Sequence, residues 1–172
     1  MMDVMPDLQK ALEILRPWAR EVKSPEENRL DVSIHPEHLK QAVRALFDAK
    51  WGYLATITGL DNAPTKSGEQ LDIETAQEIF SEGTIEALYH FCSGAEVATI
   101  RVNVPYSEPF LDSICEFMPS ATLYERELME MFGVIVVGTP SRARLLLSDD
   151  WPDGVYPLRK SFTGLNGARE EV

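Results

Sequence analysis

The stretch from Tyr124 to Lys160 constrains this chain most, because a charged amphipathic helix, an all-apolar strand and an irregular arm follow one another without a break. Tyr124, Leu128, Met131 and Phe132 fall on one stripe of the helix, and burying each is worth about 1.5–3 kcal/mol, enough to dock the helix on a sheet. Gly133 stands where a left-handed residue ends a helix, and Val134 to Val137 then pairs as a strand. Past Gly138, Thr139 and Pro140 the chain has no amphipathic period, yet it carries Leu145, Leu146, Leu147, Trp151, Val155, Tyr156 and Leu158. So much apolar surface on an irregular segment has to lie against something, either another protein or its own domain. Arg142, Arg144, Arg159 and Lys160 gather here too, and Arg, Trp and Tyr are the usual interface anchors.

Upstream, the pattern supplies the domain that carries this stretch. Asp7 to Val22 is expected as a helix, with Leu8, Leu12, Leu15 and Ala19 at helical spacing and Pro17 ending or kinking its last turn. Arg29 to Ile34 alternates as a half-buried strand. Pro36 then opens a helix that buries Leu39, Val43, Leu46 and Phe47. Tyr53 to Thr58 reads as a strand, Gly59 to Gly68 as a turn-rich loop, and Ile73 to Phe80 as a short helix. Thr84 to Phe91 and Glu96 to Val104 form a hairpin turned at Ser93 and Gly94. Phe110 to Phe117 is expected as a short helix, and Ser120 as the N-cap of the helix that follows. The order implies an α+β fold: one small domain with a mixed sheet covered by helices, plus an extended C-terminal arm. The divisions are 1–27, an N-terminal helix and connector; 28–140, the α+β domain; and 141–172, the arm.

Charge narrows the function. A net charge of −12 over 172 residues argues against nucleic acid or an anionic membrane surface as the partner. The opening MMDVMPDLQK lacks the basic and apolar regions of a secretory signal, and no apolar run approaches the roughly 20 residues that span a bilayer. A cytoplasmic chain is therefore expected. Cys92 and Cys115 have no metal or redox spacing and read as free thiols.

Chemistry-bearing patterns fail on inspection. Glu125, Glu127 and Glu130 lie on one helix, but nothing supplies the second segment of a glycosidase cleft, so solvated or ion-paired carboxylates are expected. Arg126 and Glu130 at i, i+4 would form a surface pair worth about 0.3–0.5 kcal/mol. His35 and His38 lack a third ligand, and His90 is a sheet residue. The DDWPDG run puts Trp151 and Lys160 where a calcium loop needs oxygen ligands. There is no nucleophile elbow, P-loop or dinucleotide fingerprint.

Read in order, Glu125-Arg126-Glu127, Glu130, Gly133, Gly138-Thr139-Pro140, Arg144-Leu145-Leu146, Asp149-Asp150-Trp151 and Pro157-Leu158-Arg159 form a multi-part motif. It resembles the 30 kDa subunit family of respiratory complex I, the NADH:quinone oxidoreductase, including the equivalent subunit of membrane-bound energy-converting nickel–iron hydrogenases. Weaker likeness extends upstream through Tyr53 to Asp61, Leu88 to Phe91 and Asp112 to Ile114. The resemblance implies a non-catalytic subunit of an oxidoreductase complex, peripheral to the cytoplasmic side of the membrane, with no active site, flavin, cluster or metal of its own. Iron–sulfur clusters, with FMN or a nickel–iron site, would belong to the assembly. The partners it implies are the large subunit that holds the quinone or nickel–iron site, and the iron–sulfur subunits. The interface residues would be Glu125, Arg126, Glu127, Glu130, Arg144, Asp150, Trp151, Tyr156, Pro157, Leu158 and Arg159, with Gly133, Gly138 and Pro140 making turns. Respiratory members usually have Asp at Glu130, His at Thr139 and a basic residue at Ala143. These departures lean toward the hydrogenase-type complexes.

Overall fold

The computed structural model describes residues 6–63 and 83–165. Alternation of apolar residues builds the sheet at its centre. Strand β4 (Thr84–Ser93) and strand β5 (Glu96–Pro105) pair antiparallel, with Ser93 opposite Glu96. The turn is therefore Gly94-Ala95 rather than Ser93-Gly94. Gly94 takes φ +59°, the positive value that a two-residue hairpin asks of its first turn residue. Ile85, Ala87, Tyr89 and Phe91 from β4, and Ala98, Ile100, Val102 and Val104 from β5, all face one side and are buried.

Strand β2 (Arg29–Ile34) adds Leu30, Val32 and Ile34 to that face, pairing parallel with β5. Strand β1 (Ala19–Lys23) lies antiparallel on its outer edge, and β3 (Tyr53–Asp61) pairs antiparallel with β4. The order β1-β2-β5-β4-β3 makes a mixed five-stranded sheet, as expected. Among the described residues three α-helices complete the core: α1 (Pro6–Leu15) through Leu8, Ala11 and Leu15; α2 (Leu39–Asp48) through Leu39, Ala42, Val43 and Leu46; and α3 (Ala121–Phe132) through Ala121, Leu128, Met131 and Phe132. Trp51 joins the first two, its indole N–H donating to the Asp7 carbonyl at 2.8 Å.

The opposite sheet face is polar. Arg101 on β5 donates to Asp31 on β2 (2.8 Å) and to both oxygens of Glu86 on β4 (2.7 and 2.8 Å). The Arg101 bonds hold the Glu86 carboxyl below its usual value against the opposing effect of burial. His90 sits between Thr58 and Thr99, at 3.0 Å from each hydroxyl.

Several sequence expectations are corrected. The helix expected over Asp7 to Val22 stops at Leu15. A 3₁₀ turn at Arg16–Trp18 takes up Pro17, which cannot donate a helical bond, and the chain leaves as β1. Strand β3 continues past Thr58 because Gly59 is a strand residue. A Cβ there would overlap the Phe132 ring, so its smallness lets α3 close on the sheet. Phe47 is 46% exposed rather than buried and leans on Phe117, ring centroids 6.2 Å apart. No helix spans Phe110 to Phe117. Phe110–Asp112 is a strand, β6, paired parallel with β7 (Ile135–Val137), and Leu111 is its buried residue. The short helix expected at Ile73 to Phe80 lies outside the described residues.

Candidate functional site

Helix α3 organises the expected site, and its two ends are built differently. Ser120 occupies the N-cap position but makes no capping bond with its side chain. The first turn is tied instead by the Ala121 amide to the Met118 carbonyl (2.9 Å) and by the Thr122 hydroxyl to the Pro119 carbonyl (2.9 Å). At the other end Gly133 is left-handed (φ +71°), and its N–H donates to the Met129 carbonyl at 3.0 Å. A side chain there would also run into the Tyr156 ring, so the glycine serves both the cap and the return of the arm.

The three helix carboxylates have three different environments. Glu125, expected to be solvated or ion-paired, is instead 0% exposed. Its carboxyl accepts from the Ser113 hydroxyl (2.9 Å), the Ile114 amide (2.9 Å) and the Cys115 thiol (3.2 Å). Burial, then the neighbouring carboxyl, push the Cys115 thiol up despite opposing bonds from Ser113 and Thr122, which suits its role as donor. Glu125 therefore has no surface to offer another chain, and it fixes the turn between β6 and α3 from inside. Glu127 is exposed. Glu130 accepts from the amides of Leu145 (2.7 Å), Leu146 (2.9 Å) and Leu147 (3.3 Å).

Arg126 does not pair with Glu130. Its guanidinium donates to the carbonyls of Ala143 (2.7 Å) and Arg144 (2.5 Å). These two side chains, one turn apart, take up carbonyls and amides of the arm in succession. The arm then closes on itself. Arg144 donates to the carbonyls of Ser148 (2.6 Å) and Asp149 (3.2 Å) and to the Asp153 carboxylate (2.8 Å), while the Trp151 indole donates to the Val155 carbonyl (2.8 Å).

The chain comes back at the C-terminal end of α3. The Leu158 amide donates to the Met131 carbonyl (3.2 Å), and Arg159 donates to the Phe132 carbonyl (2.6 Å). A cation there also complements the negative end of the helix. The Arg159 guanidinium lies between the Tyr106 and Tyr156 rings, 4.7 and 4.6 Å from their centroids. Beyond it the Lys160 amide donates to Asp61 at the end of β3 (2.6 Å), and the Lys160 ammonium donates to the Ala63 carbonyl (2.7 Å). Burial pushes the Asp61 carboxyl up. Hydrogen bonds from Tyr106 and from the Lys160 and Ala63 amides, with the Lys160 charge, outweigh it and hold Asp61 below its usual value.

The arm thus folds back over its own domain, which settles half of the alternative that the sequence leaves open. The polar groups of Arg126, Arg144 and Arg159 are engaged within this chain. Pro157 is half-buried, Asp150 is exposed, and Gly138 takes φ +83° just before Pro140. Leu146 and Leu158, however, point outward at 62% and 53% exposure. Phe110, Ile135 and Val137 are also exposed, on the outer side of the β6–β7 ribbon. Asp61, Ser113 and Tyr106 are not among the site residues expected from sequence. Asp61 ends the Tyr53 to Asp61 likeness, so it has a signal; Tyr106 has none.

Among the described residues no group of three His, Cys, Asp or Glu side chains could hold a metal ion. No described helix is long and apolar enough to cross a membrane.

Residues 32–167 match the family model described as respiratory-chain NADH dehydrogenase, 30 kDa subunit. Formate hydrogenlyase subunit 5 of Escherichia coli (strain K12) is 31% identical over 133 residues, which are 77% of this chain and 21% of that protein. The C subunit of the NADH-quinone oxidoreductase of Roseiflexus castenholzii is 31% identical over 141 residues, 78% of this chain and 71% of the relative. The chain thus spans about a fifth of the first relative's length and most of the second's. A solved structure of the membrane-bound sulfane sulfur reductase, an archaeal respiratory membrane complex, contains a chain of the same fold. Its TM-score is 0.65 at 22% identity, covering 94% of this chain and 86% of that one.

Proposed function

This chain belongs to the respiratory-chain NADH dehydrogenase 30 kDa subunit family, and on that premise we propose that it is a non-catalytic subunit of a multi-subunit, membrane-associated oxidoreductase. It docks on the large catalytic subunit and supports assembly for electron transfer. One observation carries this reading. The arm is tied to its own domain through polar groups at Ala143 to Leu147 and at Leu158 to Lys160, yet it turns Leu146 and Leu158 outward. Outward leucines on a segment held this way, beside Trp151, Tyr156 and Arg159, supply apolar area for a partner subunit to cover.

On this reading the chain lies on the cytoplasmic side of the membrane, peripheral to it and joined to it through partner subunits. The iron–sulfur clusters, and FMN or a nickel–iron centre, belong to those partners. The docking element is the arm from Arg144 to Arg159, including Trp151, Tyr156 and Pro157, with Glu127 and Asp150 on its rim.

Affinity purification of the tagged chain from its host tests this. A larger redox subunit should come down with iron–sulfur proteins, and a clean monomer overturns the reading. A hydrogenase-type assembly is the second reading, favoured by Thr139 and Ala143 standing where respiratory members usually carry His and a basic residue. Metal analysis of the same material separates the two, since nickel in the captured complex supports the hydrogenase type.

A further inference from the structure

We propose that Arg126 and Glu130 form a bipolar latch that sets the shape of the arm in the free chain, before any partner is present. An irregular segment has no ladder to satisfy its amides and carbonyls, and left to water it would sample many conformations. Here the Ala143 and Arg144 carbonyls meet one guanidinium, and the amides of Leu145, Leu146 and Leu147 converge on one carboxylate. Five consecutive residues each have a backbone group held by one of two opposite charges on adjacent turns of α3. Successive amides gathered on an anion are a nest, and its bonds are charge-assisted on the acceptor side.

The latch is separable from the core. Arg126 and Glu130 are half-buried rather than enclosed, and in the segment from Ala143 to Leu147 no residue is fully buried and the half-buried Leu147 is the one packed against the core cluster. Opening it therefore uncovers little apolar surface, so the arm has an opening free energy of its own, below that of the sheet. The loop from Ser148 to Val155 is closed by Arg144 and Trp151, so it is joined to the latched segment at Arg144. A pre-shaped arm also loses less conformational entropy on docking.

The proposal goes beyond the docking function and can fail or hold without it, since it concerns the partner-free chain. Amide hydrogen exchange on the full chain, read by mass spectrometry, tests it. In the unmodified protein the Leu145 to Leu147 amides should exchange at least about tenfold slower than an unstructured peptide. Glu130→Ala should bring them within about twofold of that peptide while β4 and β5 keep their protection. Glu127→Ala, one turn away and exposed, should change neither. The latch is overturned if these amides are unprotected in the unmodified chain or stay protected in Glu130→Ala. It is equally overturned if protection is lost throughout the sheet.

Discussion

The sheet layer and the arm solve the same problem by different means. Strands β2 to β5 satisfy their backbones through one another, and burial of Tyr89, Phe91 and Ile100 supplies the stabilisation. The arm has no ladder. Its backbone is satisfied partly by Arg126, Glu130 and Asp61 of other elements and partly by its own Arg144 and Trp151, and among its described residues Leu147 is the hydrophobic side chain packed against the core cluster. Cooperative stability accordingly belongs to the sheet, and adjustable shape belongs to the arm.

Substitutions should divide along that line. The largest loss is expected from Phe91→Ala, fully buried on the core face of β4, at about 3–5 kcal/mol in a urea titration. An effect confined to the arm would break the contrast. Glu125→Ala should follow at about 2–3 kcal/mol, because it strands the Ser113 hydroxyl and the Ile114 amide inside the protein. The charge of Glu125 suggests surface behaviour, so a neutral result would return it to the surface class. Gly133→Ala belongs to both regions and should cost about 1–2 kcal/mol for the left-handed conformation. Displacement of Tyr156 should also show as faster exchange at the Leu158 amide.

Acid offers a finer cut. Asp61, with a folded pKa lowered from 3.8, stabilises the protein above that value, and the contribution fades as pH falls through the lower folded one. Glu86 follows the same sign on the sheet. In Asp61→Asn the acid transition of the Lys160 amide resonance should disappear while that of the β4 amides remains. The two moving together would mean that arm and sheet are one unit. The smallest change in stability is expected for Leu158→Ala, within about 0.5 kcal/mol, although capture of the partner should weaken by about tenfold. Unchanged capture would leave the arm a strap and nothing more.

Legibility in the sequence follows the same division. Strands β2, β4 and β5 and the buried stripe of α3 are legible because burial imposes a period. Strand β1 is not, since Ala19–Lys23 is exposed along most of its length and has no alternation to detect. Three-residue β6 is too short for a period, and its Phe110 faces out. Glu125 misleads because its charge outweighs its spacing. Ala121, Glu125, Leu128 and Phe132 fall on one helical face, and all are buried. Arg126 and Glu130 look like each other's partner because i, i+4 spacing invites it. Asking where an arm without secondary structure finds its hydrogen bonds points to them instead. The proposed docking surface rests on the ordered motif and on outward leucines, and no periodicity encodes it.

The parallel pairing of β2 with β5 has a consequence in time. β2 can pair with β1 at once, but it ends at Ile34 and its parallel partner ends at Pro105, so its inner edge waits for α2, β3 and β4 to be made. At about 5–20 residues per second on the ribosome, that wait is roughly 4–14 s. Throughout it, the apolar faces of α1 and α2 have no sheet centre to cover. Closing so long a loop to make the β2–β5 pairing also slows refolding of the finished chain. Nascent chains of this protein therefore need shielding most between the synthesis of β2 and the completion of β5.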